Sequence, residues 1–245
     1  MMRGNTSQLK IGLVLGEPIM IGSDDRIMVI APHADDELIG LGGSLLKWKD
    51  SGCNILITLV ACSDIYMHHK KKVVKGSVRL DEFSKICEEI STEDFINLAM
   101  KDSKLDTHPL SELVTKLDDL IEEYNPTVFI FPEPSYHQDH QYVNRACTAS
   151  LRPTKENRPR LVLTYEIPTS TWSGSAHPFI PNYYVDISDY VEKKISLFNE
   201  IYVSQFTQKS RQKLASQGIL DHAKYRGMEC STSSAESFRM LQFID

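Results

Sequence analysis

No CxxC pair occurs anywhere in this chain, and its five cysteines (Cys53, Cys62, Cys87, Cys147, Cys230) are odd in number and scattered. That argues against a thiolate zinc site and a disulfide framework, and makes a reducing cytoplasm the simplest compartment. Positive charge is not in excess either: 27 Lys and Arg stand against 33 Asp and Glu, a formal net charge of −6. The balance argues against broad binding to nucleic acid or to an anionic membrane, and a small-molecule ligand fits better. Long hydrophobic runs are missing. The longest uncharged stretch of the N-terminal MMRGNTSQLKIGLVLGEPIMIG is too short to span a bilayer and is followed by no small-residue cleavage signal. We therefore expect no targeting segment and no integral membrane segment, and read this stretch as an extra strand or strand pair covering a sheet edge. Internal repeats and low-complexity tracts are also absent.

What is present suits a globular protein. Hydrophobic residues make up 41% and charged residues 24%, so there is ample material for a core and no signature of disorder. At 245 residues the chain is near the upper end for one core, and a single domain over 1–245 is expected. A homo-oligomer is compatible with the sequence.

Short apolar runs rich in β-branched residues alternate with longer segments at helical spacing, the pattern of a mostly parallel, Rossmann-like α/β sheet flanked by helices. Strands are expected at Arg26–Ala31, Ile55–Ala61, Phe95–Leu98, Thr127–Phe131 and Arg160–Tyr165. Helices are expected at Asp36–Asp50, Val78–Ile90, Leu110–Tyr124 and Asp139–Leu151, with a partly helical C-terminal region over Tyr190–Phe206 and Ser210–Gly227. Cys62–Ser77 and Ile167–Asn182 read as irregular loops of the kind that frame ligands in open α/β sheets.

Directly after the first strand comes APHADDELIGLGG, which crowds His33, Asp35, Asp36 and Glu37 into a strand-to-helix turn. A helix N-terminus favours carboxylates, so capping accounts for one acid and the helix dipole for a second, but neither accounts for the histidine. After the fourth strand, PEPSYHQDHQYVNRA places His137, Asp139 and His140 in the equivalent turn. Both clusters thus fall at carboxyl ends of parallel strands, where ligand sites form in such sheets. Two imidazoles and one carboxylate are suitable zinc ligands, and three protein ligands with one open position are usual for a catalytic zinc. GLGG (Gly40, Gly42, Gly43) is not a dinucleotide fingerprint, because the glycines lie inside the helix; close helix packing explains them better.

Here the sequence resembles the PIG-L/LmbE superfamily of zinc-dependent de-N-acetylases, whose hallmarks are a His-Pro-Asp-Asp-Glu segment and a later His-x-Asp-His segment. The versions present are His33-Ala34-Asp35-Asp36-Glu37 and His137-Gln138-Asp139-His140. The resemblance extends from Arg26 through nearly the whole chain, with Arg79 and Glu82, KKISLFNEIYVSQ and AESF in support. It departs at Ala34, usually proline, and in CSDIYMHHKKKVVKG, which lacks a Gly-Glu found in many relatives. The resemblance implies that His33, Asp36 and His140 hold the metal, Zn2+ or an alternative such as Fe2+, and that Asp35 is the general base. It makes His137 the electrophilic partner and has Arg79 face the sugar or a phosphate attached to it.

Such a site would remove an N-acetyl group from an amino-sugar, an N-acetylglucosamine-like substrate that is free or linked to lipid, phosphate or nucleotide. Asp35, free of the metal, would accept a proton from water and deliver one to the amine, and His137 would share the oxyanion. A raised pKa would suit His137, and Asp139 would help by pairing with one of its motif's two histidines. Lys70, Lys71, Lys72 and Lys75 would attract a charged substrate or form a solvated loop, with His68 and His69 beside them. Trp172, His177, Phe179, Tyr183 and Tyr184 would line the pocket or anchor a loop. Two rivals keep the fold: an amidase of an amino-sugar thiol conjugate, and a non-catalytic sugar-binding protein. A dinucleotide oxidoreductase would need a glycine-rich turn where PHADDE stands.

Overall fold

The computed structural model describes residues 21–68, 70–154, 157–168, 178–204 and 216–245. The expected N-terminal edge strand therefore lies outside the described residues, as do His69, Trp172, His177 and Gln205. Five parallel strands form the body of the sheet: β1 (Arg26–Ala31), β2 (Asn54–Ala61), β5 (Ile96–Met100), β6 (Val128–Pro132) and β7 (Leu161–Tyr165). In β1, side chains alternate between two cores. Ile27, Val29 and Ala31 enter one, Met28 and Ile30 the other, as a strand covered on both faces requires.

With β8 (Tyr183–Asp186) and β9 (Ala235–Phe243) added at one edge, the strand order is β5-β2-β1-β6-β7-β9-β8. From β1 the chain runs outward through β2 to β5, then returns to β6 and proceeds the other way. The order therefore reverses between β1 and β6, and the crevice beyond their carboxyl ends is the expected place for a ligand.

One face carries α1 (Asp36–Asp50), α2 (Gly76–Ile90), α5 (Val191–Ile201) and α6 (Ser216–Cys230); the other carries α3 (Leu110–Tyr124) and α4 (Gln138–Ser150). In α3 the buried residues Leu113, Leu117, Ile121 and Tyr124 recur at helical spacing, which is what makes LSELVTKLDDLIEEY a helix on a sheet. Among the described residues no helix is long and apolar enough to cross a membrane.

Three features differ from the sequence reading. The Cys62–Ser77 stretch contains a hairpin, β3 (Ile65–Met67) against β4 (Lys72–Val74), whose three-residue strands are too short to stand out beside the lysines around them. The segment ending at Asn182 leads into an edge strand, β8 (Tyr183–Asp186), so Tyr183 and Tyr184 are strand residues. Tyr183 packs on Phe238, Tyr184 Oη donates to Glu229, and Phe179 lies 5.7 Å from the Arg226 guanidinium, so these aromatics anchor the C-terminal part. The third is β9 (Ala235–Phe243), antiparallel to β7 and β8. Glu236 and Arg239 interrupt its apolar pattern, and they do so because both are ion-paired, with Lys194 and Glu133.

Glu166, the residue after β7, ties α6 and β9 to the sheet. Its carboxylate accepts from Arg226 Nε (2.7 Å) and Nη2 (3.0 Å) and from Ser237 Oγ (2.7 Å), and lies 3.2 Å from His222 Nε2. Burial opposes its ionisation, but the bonds from His222 and Arg226 outweigh burial and take the carboxyl down to about 2 from 4.5. A depressed carboxyl stabilises the fold above its ordinary range and loses that contribution as pH falls toward the folded value. Urea unfolding should show this loss between about pH 5 and pH 2, and Glu166→Gln should flatten it and cost on the order of 3 kcal/mol at pH 7. An unchanged pH slope in the variant would contradict the assignment.

Gly40 explains how closely α1 approaches the sheet. A Cβ there would collide with the ring of Tyr165, which is fully buried and donates its hydroxyl hydrogen to the Ile30 carbonyl at 3.0 Å. We predict that Gly40→Ala costs about 1–3 kcal/mol in thermal or urea unfolding, while Gly22→Ala, with no atom of the described residues within 4 Å of the added methyl, stays within about 0.5 kcal/mol of wild type.

Candidate active site

The turn between β1 and α1 is held by its own acids. Asp36 Oδ2 accepts the His33 backbone N–H at 3.0 Å, and Glu37 Oε2 accepts that of Asp35 at 3.2 Å. Asp35 makes no side-chain capping bond and sits at φ 131°, a conformation that L-residues adopt only under constraint. Thus the acids brace the turn backward rather than capping the helix forward. Glu37 is fully buried and accepts from the Tyr202 hydroxyl; burial pushes its carboxyl up to about 7 against that bond.

The turn between β6 and α4 brings the second cluster alongside. His137 is the N-cap of α4, and its Nδ1 accepts the Asp139 backbone N–H at 3.2 Å. The three imidazole rings form a triangle, with centroids 4.9 Å apart for His33 and His137, 5.4 Å for His33 and His140, and 5.3 Å for His137 and His140. Asp36 Oδ2 lies 3.3 Å from His33 Nδ1 and 3.2 Å from His140 Nε2. One donor atom from each of His33, Asp36 and His140 falls within 4.8 Å of the others, and so does one from each of His33, His137 and Asp139.

Asp139 pairs with neither histidine of its own motif. Its Oδ2 contacts His33 Nε2 at 2.8 Å, and its two oxygens also accept the N–H groups of Ser103 (2.6 Å) and Leu105 (3.2 Å). A carboxylate that holds one ring nitrogen leaves the other free to ligate, the usual outer support of a metal-bound histidine. With Asp139 so committed, His33 Nδ1, Asp36 and His140 Nε2 are the better-prepared ligand set.

The charges point the same way. Burial would lower the His33 pKa, but its hydrogen bonds to the Asp139 and Asp36 carboxylates reverse this and push it up to about 10. Burial likewise opposes ionisation of Asp36, yet His140 and His33 hold its carboxyl far below the usual range. Among the described residues, His140 Nδ1 is buried without a hydrogen-bond partner. A cluster that draws this strongly on positive charge, with two imidazoles and a carboxylate convergent, fits a divalent cation.

Asp35 is the exception among the acids. Burial and the neighbouring charge of Asp36 raise its pKa well above the ordinary value, with Arg79 opposing. His137 departs from the sequence expectation of a raised pKa: burial lowers it first, and the electrostatic effect of the neighbouring imidazoles adds to that. Asp139 does not reverse the shift, because its carboxylate is spent on His33. His137 Nδ1 is occupied as an acceptor of the Asp139 backbone N–H, so the ring presents Nε2 as its donor.

Arg79 is not a surface arginine. It is 2% exposed, 2.5 Å from Asp102 Oδ1, and also donates to the Ser63 carbonyl at 3.3 Å. Asp102 in turn accepts from Ser63 N and Oγ, at 2.5 and 3.0 Å. The turn after β5 therefore serves both halves of the site: Asp102 holds Arg79, and the next residue, Ser103, holds Asp139. Nothing in KDSKLDTH announces this, since a lone Asp and Ser in a polar turn carry no signal of burial. Glu82 is buried as well and accepts from Ser204 N (2.7 Å) and Oγ (2.6 Å).

A family model described as GlcNAc-PI de-N-acetylase, PIG-L, matches residues 28–151, just over half of the chain and inclusive of both histidine turns. A probable N-acetyl-alpha-D-glucosaminyl L-malate deacetylase 2 of Bacillus cereus is 27% identical over 142 residues, 55% of this chain and 64% of that protein. The match thus spans a little under two thirds of that relative's length. A diacetylchitobiose deacetylase of Thermococcus kodakarensis is 28% identical over 199 residues, 76% of this chain and 72% of that protein. Among solved structures, the N,N'-diacetylchitobiose deacetylase of Pyrococcus horikoshii shares the fold with a TM-score of 0.72 and 21% identity, covering 89% of this chain and 84% of that one. With both of its histidine turns inside the matched region, this chain belongs to the PIG-L family.

Proposed function

We propose that this protein is a divalent-metal-dependent amide hydrolase that removes the N-acetyl group of an amino-sugar, with an N-acetylglucosamine-like unit as substrate. The observation that carries the reading is the convergence of His33, Asp36 and His140 within 4.8 Å at the switch point of the sheet, with Asp35 beside them. The names of the two relatives, an N-acetylglucosaminyl malate deacetylase and a diacetylchitobiose deacetylase, support the substrate class.

In this reading His33, Asp36 and His140 hold the metal, zinc or a similar divalent ion. When bound, such an ion supplies Lewis acidity, which activates water and stabilises negative charge on an acyl oxygen. The remaining work falls to side chains. Amide cleavage needs a base toward water and an acid toward the departing nitrogen, and a carboxyl with a raised pKa can do both in turn. Asp35 has that property, and its strained backbone holds it at the turn. His137, whose Nδ1 is occupied by the Asp139 backbone N–H, presents Nε2–H as a hydrogen-bond donor to the developing oxyanion. Asp139 fixes the orientation of His33. Arg79, held by Asp102, opposes the accumulation of negative charge around Asp35.

The test is a panel of N-acetylated sugars, free, nucleotide-linked and lipid-linked, assayed for acetate and for free amine. Wild type should release both in equal amount from at least one class. Asp35→Asn should keep its metal and lose about 10² to 10⁴ in turnover, because only the proton carrier is removed. Near-normal turnover by a metal-loaded Asp35→Asn protein would refute this role.

A further inference from the structure

Helix α1 is broken five residues after it starts, at Leu41, whose φ and ψ of −147° and 18° are not helical. In a continuous helix the Ile39 carbonyl would accept the Gly43 N–H. Here the Ile39 carbonyl accepts from Lys194 Nζ at 2.7 Å, and the Gly43 N–H donates to Glu236 Oε1 at 2.9 Å. Glu236 Oε2 takes the next N–H, that of Ser44, at 2.7 Å, and Lys194 and Glu236 meet each other at 2.6 Å. The two side chains are 2% and 4% exposed. A buried ion pair has thus been inserted into one rung of the helix ladder, one partner coming from α5 and the other from β9.

We infer that Lys194 and Glu236 are positioning residues for the turn that carries Asp35 and Asp36, an inference that rests on the deacetylase reading above. The segment Asp36–Gly40 is a little over one helical turn, too short to hold its own geometry. Its start is braced by Asp36 and Glu37. Its end is fixed where Lys194 grips the Ile39 carbonyl and Glu236 caps the helix that resumes at Gly43. Gly40 and Gly43 press this stretch onto Tyr165 and Ile187, so the axis cannot shift to close the gap. Stability alone does not call for this arrangement, because well-packed apolar residues usually serve a core as well as a buried ion pair does. What the pair adds is a fixed break, and therefore a fixed direction for the short turn at the crevice.

The experiment compares the full-length wild type with the double variant Lys194→Met/Glu236→Gln, which leaves no buried charge unpaired, and with the single variant Glu236→Gln. Four quantities are read: melting temperature, Zn2+ affinity by competition with a chromophoric chelator, kcat and KM on an N-acetylated sugar, and backbone hydrogen exchange over residues 36–44. The double variant should melt within a few degrees of wild type. Its Zn2+ affinity should fall about 10- to 100-fold, as on loss of outer support for ligands. Its kcat should fall at least about tenfold with KM little changed, since a displaced reactive group costs rate more than binding. Exchange should quicken within residues 36–44 and not in α3 or α4. A folded double variant with Zn2+ affinity, kcat and exchange all within about twofold of wild type would overturn the inference. So would failure of both variants to fold, which would assign the pair to stability. If the wild type binds Zn2+ yet hydrolyses no amide, the deacetylase reading fails while affinity and exchange still decide the positioning role.

Discussion

The carboxylate of Asp36 lies between His33 Nδ1 and His140 Nε2, and the rest of the molecule is arranged around that contact. These three groups come from two turns about a hundred residues apart, and each is largely removed from water. Burial makes a lone carboxylate or a charged imidazole expensive, so their convergence persists only if positive charge is shared among them. Without a metal, His33 supplies that charge by holding a proton. In the proposed metal-bound state the cation would supply it, with the same atoms as its ligands.

Everything nearby is a consequence of holding that geometry. The sheet reverses order between β1 and β6, which brings the two turns to one crevice. Asp139 orients His33 and is itself anchored by the turn after β5, whose Asp102 also holds Arg79. On the other side, Glu37 and Tyr202 pin the start of α1, and Lys194 with Glu236 pins the place where α1 breaks. The site is therefore supported from α5 and β9 as well as from the strands that carry it. The C-terminal region is not an appendage.

The sequence made the centre legible and its supports illegible, for a physical reason. His33, Asp35, Asp36, His137, Asp139 and His140 stand in two compact clusters after apolar strands, a pattern that capping alone does not explain. Both ends of β1, α1 and α3 could also be read, because their apolar spacing is strong. Asp102, Lys194 and Glu236 were not singled out, since a charged residue reads as exposed until its partner is known, and each partner lies far away in the chain. The same blindness hid β9, whose Glu236 and Arg239 look like surface residues of a helix. Arg79 was expected at the substrate; the structure buries it against Asp102. His137 was expected to favour a proton, but the side chain that could have favoured it, Asp139, serves His33.

The account stands on a metal held by His33, Asp36 and His140 as the source of hydrolysis. The most direct measurement is elemental analysis of the purified protein and of His140→Ala, each assayed in parallel for amine release from an N-acetylated amino-sugar. The account predicts one divalent ion per chain and hydrolysis in the wild type, and loss of both in His140→Ala. A metal-free protein that still hydrolyses the amide would contradict it.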